Sequence, residues 1–257
     1  MCLITFSYKT HPFYKLIVAA NRDEFYERPT RPAQFWTQEQ LPNILAGKDL
    51  KANGTWMGVS KNGKWGALTN FRDPSNINED APTRGDLVLD FLKSDLNERA
   101  YLKEVKENRK KYNGFNLLIG SENSLYHFSN ETNSVTEIEP GIHGVSNALL
   151  NTSWPKLDQA KKDLKNITLS ENFSKEELFN ILKNPEKAPD EKLPSTGIPY
   201  EWEKAISSIF IKTDNYGTLC STILLVDYEG NAEFIERRYK TGSNEVINEN
   251  NFNLSFW

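Results

Sequence analysis

Cysteine is scarce: Cys2 and Cys220 are the only two in 257 residues, and most of the chain separates them. Two such residues make neither a disulfide framework nor a zinc site, and a reducing, cytoplasmic setting is expected. Long apolar runs are missing as well. No segment approaches the roughly 18–20 apolar residues of a membrane span. The opening MCLITFSYKTHPFYKLIVAANRDEF carries only short apolar bursts, without the charged start and longer run of a secretory signal. The net charge is −4, with Lys and Arg dispersed among Asp and Glu. Neither a nucleic-acid stripe nor a polybasic membrane patch is present, so no nucleic-acid partner and no stable membrane insertion are expected. His11, His127 and His143 are scattered without HExxH or carboxylate spacing. There is no glycine-rich phosphate loop and no GxSxG elbow. No metal and no cofactor are expected.

What is present suits one large domain over residues 1–257, with a heavy aromatic content of six Trp, ten Tyr and fourteen Phe. Leu3–Tyr8 and Leu16–Ala20 read as two strands of a hairpin turned at His11-Pro12. An irregular stretch from Asn21 to Gly54 follows, punctuated by Pro29, Pro32 and Pro42. Trp56–Ser60 and Trp65–Phe71 flank Asn62-Gly63, the strongest short hairpin signal. Helices are predicted after Thr83 and Asp86, over Asn97–Lys111, over Trp154–Asn166, and over Lys175–Lys183, where Ser174 and Glu177 form a capping-box pair. Further strands fall at Phe115–Gly120, Leu125–Ser129, Val135–Ile138, Ala205–Thr213, Thr218–Val226 and Glu233–Tyr239. The Asn-rich tail at 241–257 reads as mobile up to an apolar end that can dock.

That order lacks strict strand–helix alternation and favours an α+β architecture of antiparallel sheets covered by helices. Phe115–Gly120 and Cys220–Val226 are apolar on both faces, which calls for a sheet buried on both sides. Two stacked sheets between helical layers meet that demand.

Cys2 stands directly behind Met1. Aminopeptidases remove Met1 before a small residue, which would leave a thiol and a free α-amine on one residue. Nucleophile and base together are the equipment for attack on amides and esters. The competing reading is a small buried hydrophobe opening a strand. Asn21-Arg22-Asp23-Glu24 is equally two-sided. It is a charged strand end at the surface, or, if the first two strands pair, a polar cluster beside Cys2. In the second case Arg22 favours the thiolate and Asp23 accepts hydrogen bonds from the amine. Trp56 and Trp65 divide between core and the lining of an acyl pocket.

Cys2 followed by ANRDEFYERPTRPA (Ala20–Ala33) resembles the NRDE-motif family, also called the transport and Golgi organisation type 2 family. The likeness continues at Ala46–Arg72, TRGDLVLDFL (Thr83–Leu92), HGVSNALLNTSWPKL (His143–Leu157) and YGTLCSTILLVD (Tyr216–Asp227). The resemblance implies a four-layer αββα sandwich of the N-terminal-nucleophile hydrolase type, similar to penicillin V acylase and bile salt hydrolase. By position it makes Cys2 the nucleophile, Asp23 the contact of its amine, Asn70 an oxyanion-hole donor and Asn147 a second polar residue of the site. An oxyanion hole needs neutral donors fixed about 2.7–3.1 Å from the developing charge, and an asparagine amide supplies one. Without the resemblance, Asn70 reads as a turn residue and Asn147 as a loop asparagine bonding its own backbone.

Two departures stand out. The acylase-like relatives carry arginine three residues before the aspartate, where this chain has Ala20, and Arg22 adjoins Asp23 instead. Leu219 follows Gly217-Thr218 where the family usually has arginine. Two functions are therefore expected. One is an N-terminal cysteine hydrolase of a carbon–nitrogen amide or (thio)ester bond in an acylated small molecule. The other is a non-catalytic carrier or trafficking factor for a hydrophobic ligand such as haem or lipid.

Overall fold

Two antiparallel sheets are stacked face to face in the computed structural model, which describes residues 2–122 and 124–256. Met1, whose removal the sequence reading requires, and Trp257 at the tail's end lie outside the described residues. The first sheet contains β1 (Cys2–Tyr8), β2 (Tyr14–Phe25), β10 (Gly141–Val145), β11 (Tyr216–Asp227), β12 (Asn231–Tyr239) and β13 (Val246–Ser255), in the order β10-β1-β2-β11-β12-β13. The second runs sequentially through β3 (Thr30–Trp36), β4 (Leu41–Asp49), β5 (Met57–Ser60), β6 (Trp65–Asn70), β7 (Phe115–Gly120), β8 (Leu125–Ser129) and β9 (Ser134–Glu137).

Alternation along each strand divides the core into three. Ile4, Phe6, Val18, Leu118, Leu224 and Phe234 fill the space between the sheets. The other face of the seven-stranded sheet packs on α1 (Gly85–Lys93) and α2 (Glu98–Asn108) through residues such as Leu117, Ile119, Val88 and Phe91. Leu3, Ile17, Ala19 and Ile223 turn from the six-stranded sheet onto α3 (Pro155–Thr168) and α4 (Lys175–Leu182). The layers are thus helix, sheet, sheet, helix: the expected αββα sandwich.

The two foreseen hairpins form. β1 and β2 pair with Cys2 opposite Arg22 and Leu3 opposite Asn21. β5 and β6 pair around Gly63, whose φ of +81° is the left-handed conformation that glycine adopts without a Cβ penalty. Ser174 and Glu177 make their reciprocal capping box, and Asn97 caps α2. The helix predicted to Lys111 ends at Asn108 and tightens into a 3-10 turn over Arg109–Lys111.

Three readings are corrected, and one strand is added. The stretch from Asn21 to Gly54 is not irregular: β2 continues to Phe25, and β3 and β4 follow. Pro32 and Pro42 lie where the β3–β4 register shifts, on the outermost pair of strands, where a missing N–H is tolerated. Ala205–Thr213 is not a strand. The short helix α5 (Tyr200–Ala205) ends there, and the buried segment after it ties its backbone elsewhere: Phe210 N–H donates to Asn184 O, and Ile209 O accepts from the Asn21 amide. β10, which the sequence pattern did not show, carries two glycines, and a Cβ at Gly144 would come within 2.6 Å of the Leu157 side chain and 3.0 Å of Ile4 O. The tail read as mobile forms β13, paired along β12 from Asn231–Ser255 to Tyr239–Val246.

Candidate active site

β1 and β2 place Cys2, Arg22 and Cys220 in one cross-strand row, because Arg22 is the register partner of both cysteines. By alternation with Ile4 and Ala20 this row faces the second sheet. At its open end lies a cleft of about 120 Å3 lined by Cys2, Arg22, Asp23, Asn70, Arg84 and Trp56, among others. Cys2 is half-buried and Cys220 fully buried. Burial pushes both thiols above their ordinary pKa. At Cys2 the Asp23 charge adds to this, while Arg22 and a main-chain hydrogen bond from Asp23 act in the opposite direction. Arg22 is thus one of the influences that lower the Cys2 pKa, and burial outweighs it.

Arg22 spans the two sheets. Its guanidinium lies 4.2 Å from the centre of the Trp56 ring and 3.5 Å from Asp49, the last residue of β4. Arg28 holds the same Asp49 carboxylate at 2.7 Å. Trp56 can lie across β4 only because residue 47 is glycine, where a Cβ would meet the ring at 2.3 Å. Trp56 thus lines the cleft, whereas Trp65 belongs to the core between the sheets. Arg22 Nη1 is buried and makes no hydrogen bond among the described residues.

Asp23 points the other way. It follows Asn21 in alternation, toward the layer of α3 and α4, and its carboxylate Oδ1 accepts from Thr218 Oγ1 at 2.7 Å. Burial raises its pKa, and Lys156 on α3 is the strongest influence lowering it again. Thr218 precedes a β-bulge: register slips between Thr218 and Cys220, and half-buried Leu219 is the extra residue.

Asn70 ends β6 on the cleft wall. Asn147 lines not this cleft but the one adjoining it, which also reaches Asn70 and Arg84. Its amide donates to the Asn70 main-chain oxygen at 2.9 Å, and Ser146 Oγ donates to the Cys2 oxygen at 3.1 Å. The Ser146-Asn147 pair after β10 thereby fastens the end of the first sheet to the end of the second. The sequence pattern also passes over Arg84, which lies between the expected caps Thr83 and Asp86. It lines the cleft, donates to Gly114 O at 2.8 Å, and has its pKa lowered by burial and raised again by Cys2. The wall it stands on is tight, since a Cβ at Gly54 would meet Gly85 C at 2.6 Å. A second cleft of about 240 Å3 shares Asn70 and Arg84 and continues past Phe71, Ile77, Ile198 and Trp202.

His143 stands away from this site, stacked on Phe6 and bonded to Glu139 O. His11 bonds Ser170 O and accepts from the Phe13 and Tyr14 N–H groups. Among the described residues no group of three or more His, Cys, Asp or Glu is placed to hold a metal ion, and no helix is long and apolar enough to cross a membrane.

Comparison with known proteins places a match to the Transport and Golgi organisation 2 family over residues 1–241. The Transport and Golgi organization 2 homolog of Mus musculus is 37% identical, over 92% of this chain and 92% of its own length. The corresponding Homo sapiens homolog is 36% identical with the same coverage. Among solved structures, the C2A mutant of the conjugated bile acid hydrolase from Clostridium perfringens matches with a TM-score of 0.52 at 10% identity, covering 98% of this chain and 92% of that one. At that identity the likeness is one of fold alone.

Proposed function

The chain belongs to the Transport and Golgi organisation 2 family, and we propose that it is an N-terminal cysteine hydrolase that cleaves an amide or thioester bond of an acylated small molecule once Met1 is removed. The observation that carries this reading is the half-buried Cys2 thiol at the mouth of a cleft it shares with Asn70 and Arg84. Cys2 Sγ attacks the carbonyl carbon, and its proton passes by way of the freed α-amine to the leaving amine or thiol. Asn70 and main-chain N–H groups hold the oxyanion. Arg22 Nη1 offers a further donor to a substrate oxygen. Water then attacks the acyl-enzyme and releases the acid. The adjoining cleft past Phe71, Ile77 and Trp202 suits the acyl chain.

The test is intact-mass and peptide mass spectrometry after incubation with an acyl-amide and an acyl-thioester probe. A chain starting at Cys2, acylated at Cys2 and not at buried Cys220, supports the reading. Retention of Met1 in protein from its own cells, or undiminished acylation of Cys2→Ala, ends it.

One observation favours a second reading, a haem or lipid carrier without turnover. Leu219 occupies the bulge of β11 where the family usually has arginine, so an apolar side chain stands where a charged contact is expected. Ligand binding that survives Cys2→Ala, with no product formed, would select it.

A further inference from the structure

Arg84 stands at the wall between the two clefts, since it and Asn70 line both. A shared acceptor fixes it there. Gly114 O takes the Arg84 Nη1–H at 2.8 Å and, at 2.9 Å, the N–H of Phe71, the residue after Asn70. The main chain at this wall is tied as well, because Thr55 N–H donates to Gly85 O at 3.3 Å. The guanidinium is thus held beside the end of β6, in the cleft that Asn70 shares with Cys2.

Arg84 has no acid of its own. Among the described residues it makes no ion pair, and Gly114 O is its hydrogen-bond partner. The acids of the smaller cleft are already taken. Asp49 holds Arg28 at 2.7 Å and Arg22 at 3.5 Å, and accepts the Lys51 and Ala52 N–H groups. Glu24 lies 3.7 Å from Arg28 and 4.0 Å from Arg22, and accepts the Phe25 N–H. The Asp23 carboxylate turns to the other face of the sheet, where Thr218 donates to it and Lys156 is 5% exposed. On the cleft face three arginines therefore meet two carboxylates. The donors left over are the Arg84 fork and Arg22 Nη1, which is buried and makes no hydrogen bond among the described residues. Fixed cationic donors without matching acceptors suit an anion, and a guanidinium grips a carboxylate through two parallel bonds.

The division of the clefts decides which part of a substrate carries that anion. The larger cleft runs past Phe71, Ile77, Ile198 and Trp202 and takes the acyl chain under the hydrolase reading, on which this inference rests. The departing amine then occupies the smaller cleft, which at about 120 Å3 has half the volume of the other and room for a small head group. An α-carboxylate carbon lies two bonds from the scissile nitrogen, close enough to meet a guanidinium fixed beside Asn70. We propose that Arg84 is the specificity-determining residue for the leaving group, and that it binds the carboxylate of an N-acyl α-amino acid, with Arg22 Nη1 as a second donor. Attack by Cys2 Sγ breaks the carbon–nitrogen bond, the thiol proton goes to the departing nitrogen, and the amino acid leaves before water releases the fatty acid.

The test compares N-octanoylglycine with its neutral isostere N-octanoylglycinamide. Calorimetric titration of the Cys2→Ala chain reads binding without turnover. The acid is expected to bind about ten- to a hundredfold more tightly than the amide. Arg84→Met on that background removes the difference, and Arg84→Lys keeps part of it. In turnover by the chain that starts at Cys2, the loss in Arg84→Met appears chiefly as a raised KM for the acid. Equal affinity for the two probes, or no binding of either, overturns the proposal and needs no variant at position 84 to fold. Cleavage of both probes with equal kcat/KM removes it too and leaves the hydrolase reading in place. An Arg84-dependent preference in binding, with neither probe cleaved, refutes the hydrolase reading and leaves the anion site standing.

Discussion

Asn147 donates its side-chain amide to the main-chain oxygen of Asn70 at 2.9 Å, across the junction of the two sheets. Asn147 is 1% exposed, so the bond cannot be replaced by bulk water. Asn147→Ala is expected to leave the Asn70 carbonyl unsatisfied at a cost of about 1–3 kcal/mol, measured by urea unfolding. Probe acylation of Cys2 is expected to fall roughly ten- to a hundredfold, because the Asn70 amide is no longer held in place. A variant with wild-type stability and acylation rate would show that Asn70 is held without it.

The same region shows how far the sequence could be read. The nearness of Cys2 and Arg22 was legible because strand pairing alone brings the ends of β1 and β2 together, and an Asn-Gly hairpin fixes β6, whose end residue Asn70 only the resemblance singled out. Their division between faces was legible in principle from alternation: Arg22 goes with Cys2, and Asp23 with Asn21. Asn147 was found by the resemblance, but its role was not. Its partner lies 77 positions away on another sheet, and no local pattern encodes such a contact. Lys156 was invisible because a lysine in an amphipathic helix reads as solvated unless tertiary burial is known. The β3–β4 pair was missed because its prolines, which ordinarily argue against strands, sit at register shifts on the sheet's outermost pair.

Arg72 and Glu203 form an ion pair at 2.7 Å with both side chains below a tenth exposed. The pair joins the segment after β6 to α5, and Arg72 also lies 4.8 Å from the Trp154 ring. Removing one partner leaves the other charge buried. Glu203→Gln and Arg72→Met are each expected to destabilise by about 3–5 kcal/mol. The double variant Arg72→Met/Glu203→Leu is expected to recover part of that loss, which a double-mutant cycle in urea measures. Additive losses would mean that the two side chains act independently.

His127 sets a pH dependence. It lies on β8 between the sheets, 3% exposed, and Nε2 is 3.0 Å from Asn116 Oδ1. Asn116 gives its own amide to Thr69 Oγ1 and Ala148 O, so its Oδ1 accepts and His127 donates as the Nε2–H tautomer. Burial lowers the His127 pKa to about 4. The unfolded chain therefore takes up this proton near pH 6.5 and the folded chain only near 4. Stability rises with pH where the unfolded state binds more protons. The His127 contribution, at most about 3 kcal/mol, is present above pH 6.5 and is lost as pH falls toward 4. Urea midpoints at pH 7.5 and pH 5 are expected to differ less in His127→Gln than in the wild type. Equal differences would assign the acid sensitivity to the carboxylates alone.

The last strand lies beyond residue 241, where the family match ends, yet it is built into the sandwich. β13 pairs along β12, Asn250 donates to Ala33 O at 3.0 Å, and the Phe252 ring meets Phe35 at 5.9 Å. Phe256 is 8% exposed and joins the core between the sheets. Deleting 242–257 removes these contacts and bares the β12 edge, whose N–H and C=O groups would then invite pairing between chains. The loss of Phe256 burial alone is worth about 1.5–3 kcal/mol. The truncated chain is expected to melt earlier and to aggregate in light scattering at concentrations where the whole chain stays monodisperse. Phe256→Ala, which keeps β13 paired, is expected to lower stability without that aggregation. This separates the edge-covering role of the strand from the packing of its last aromatic ring. A truncated chain that is as stable and as monodisperse as the whole would make β13 an appendage of the sheet rather than its cover.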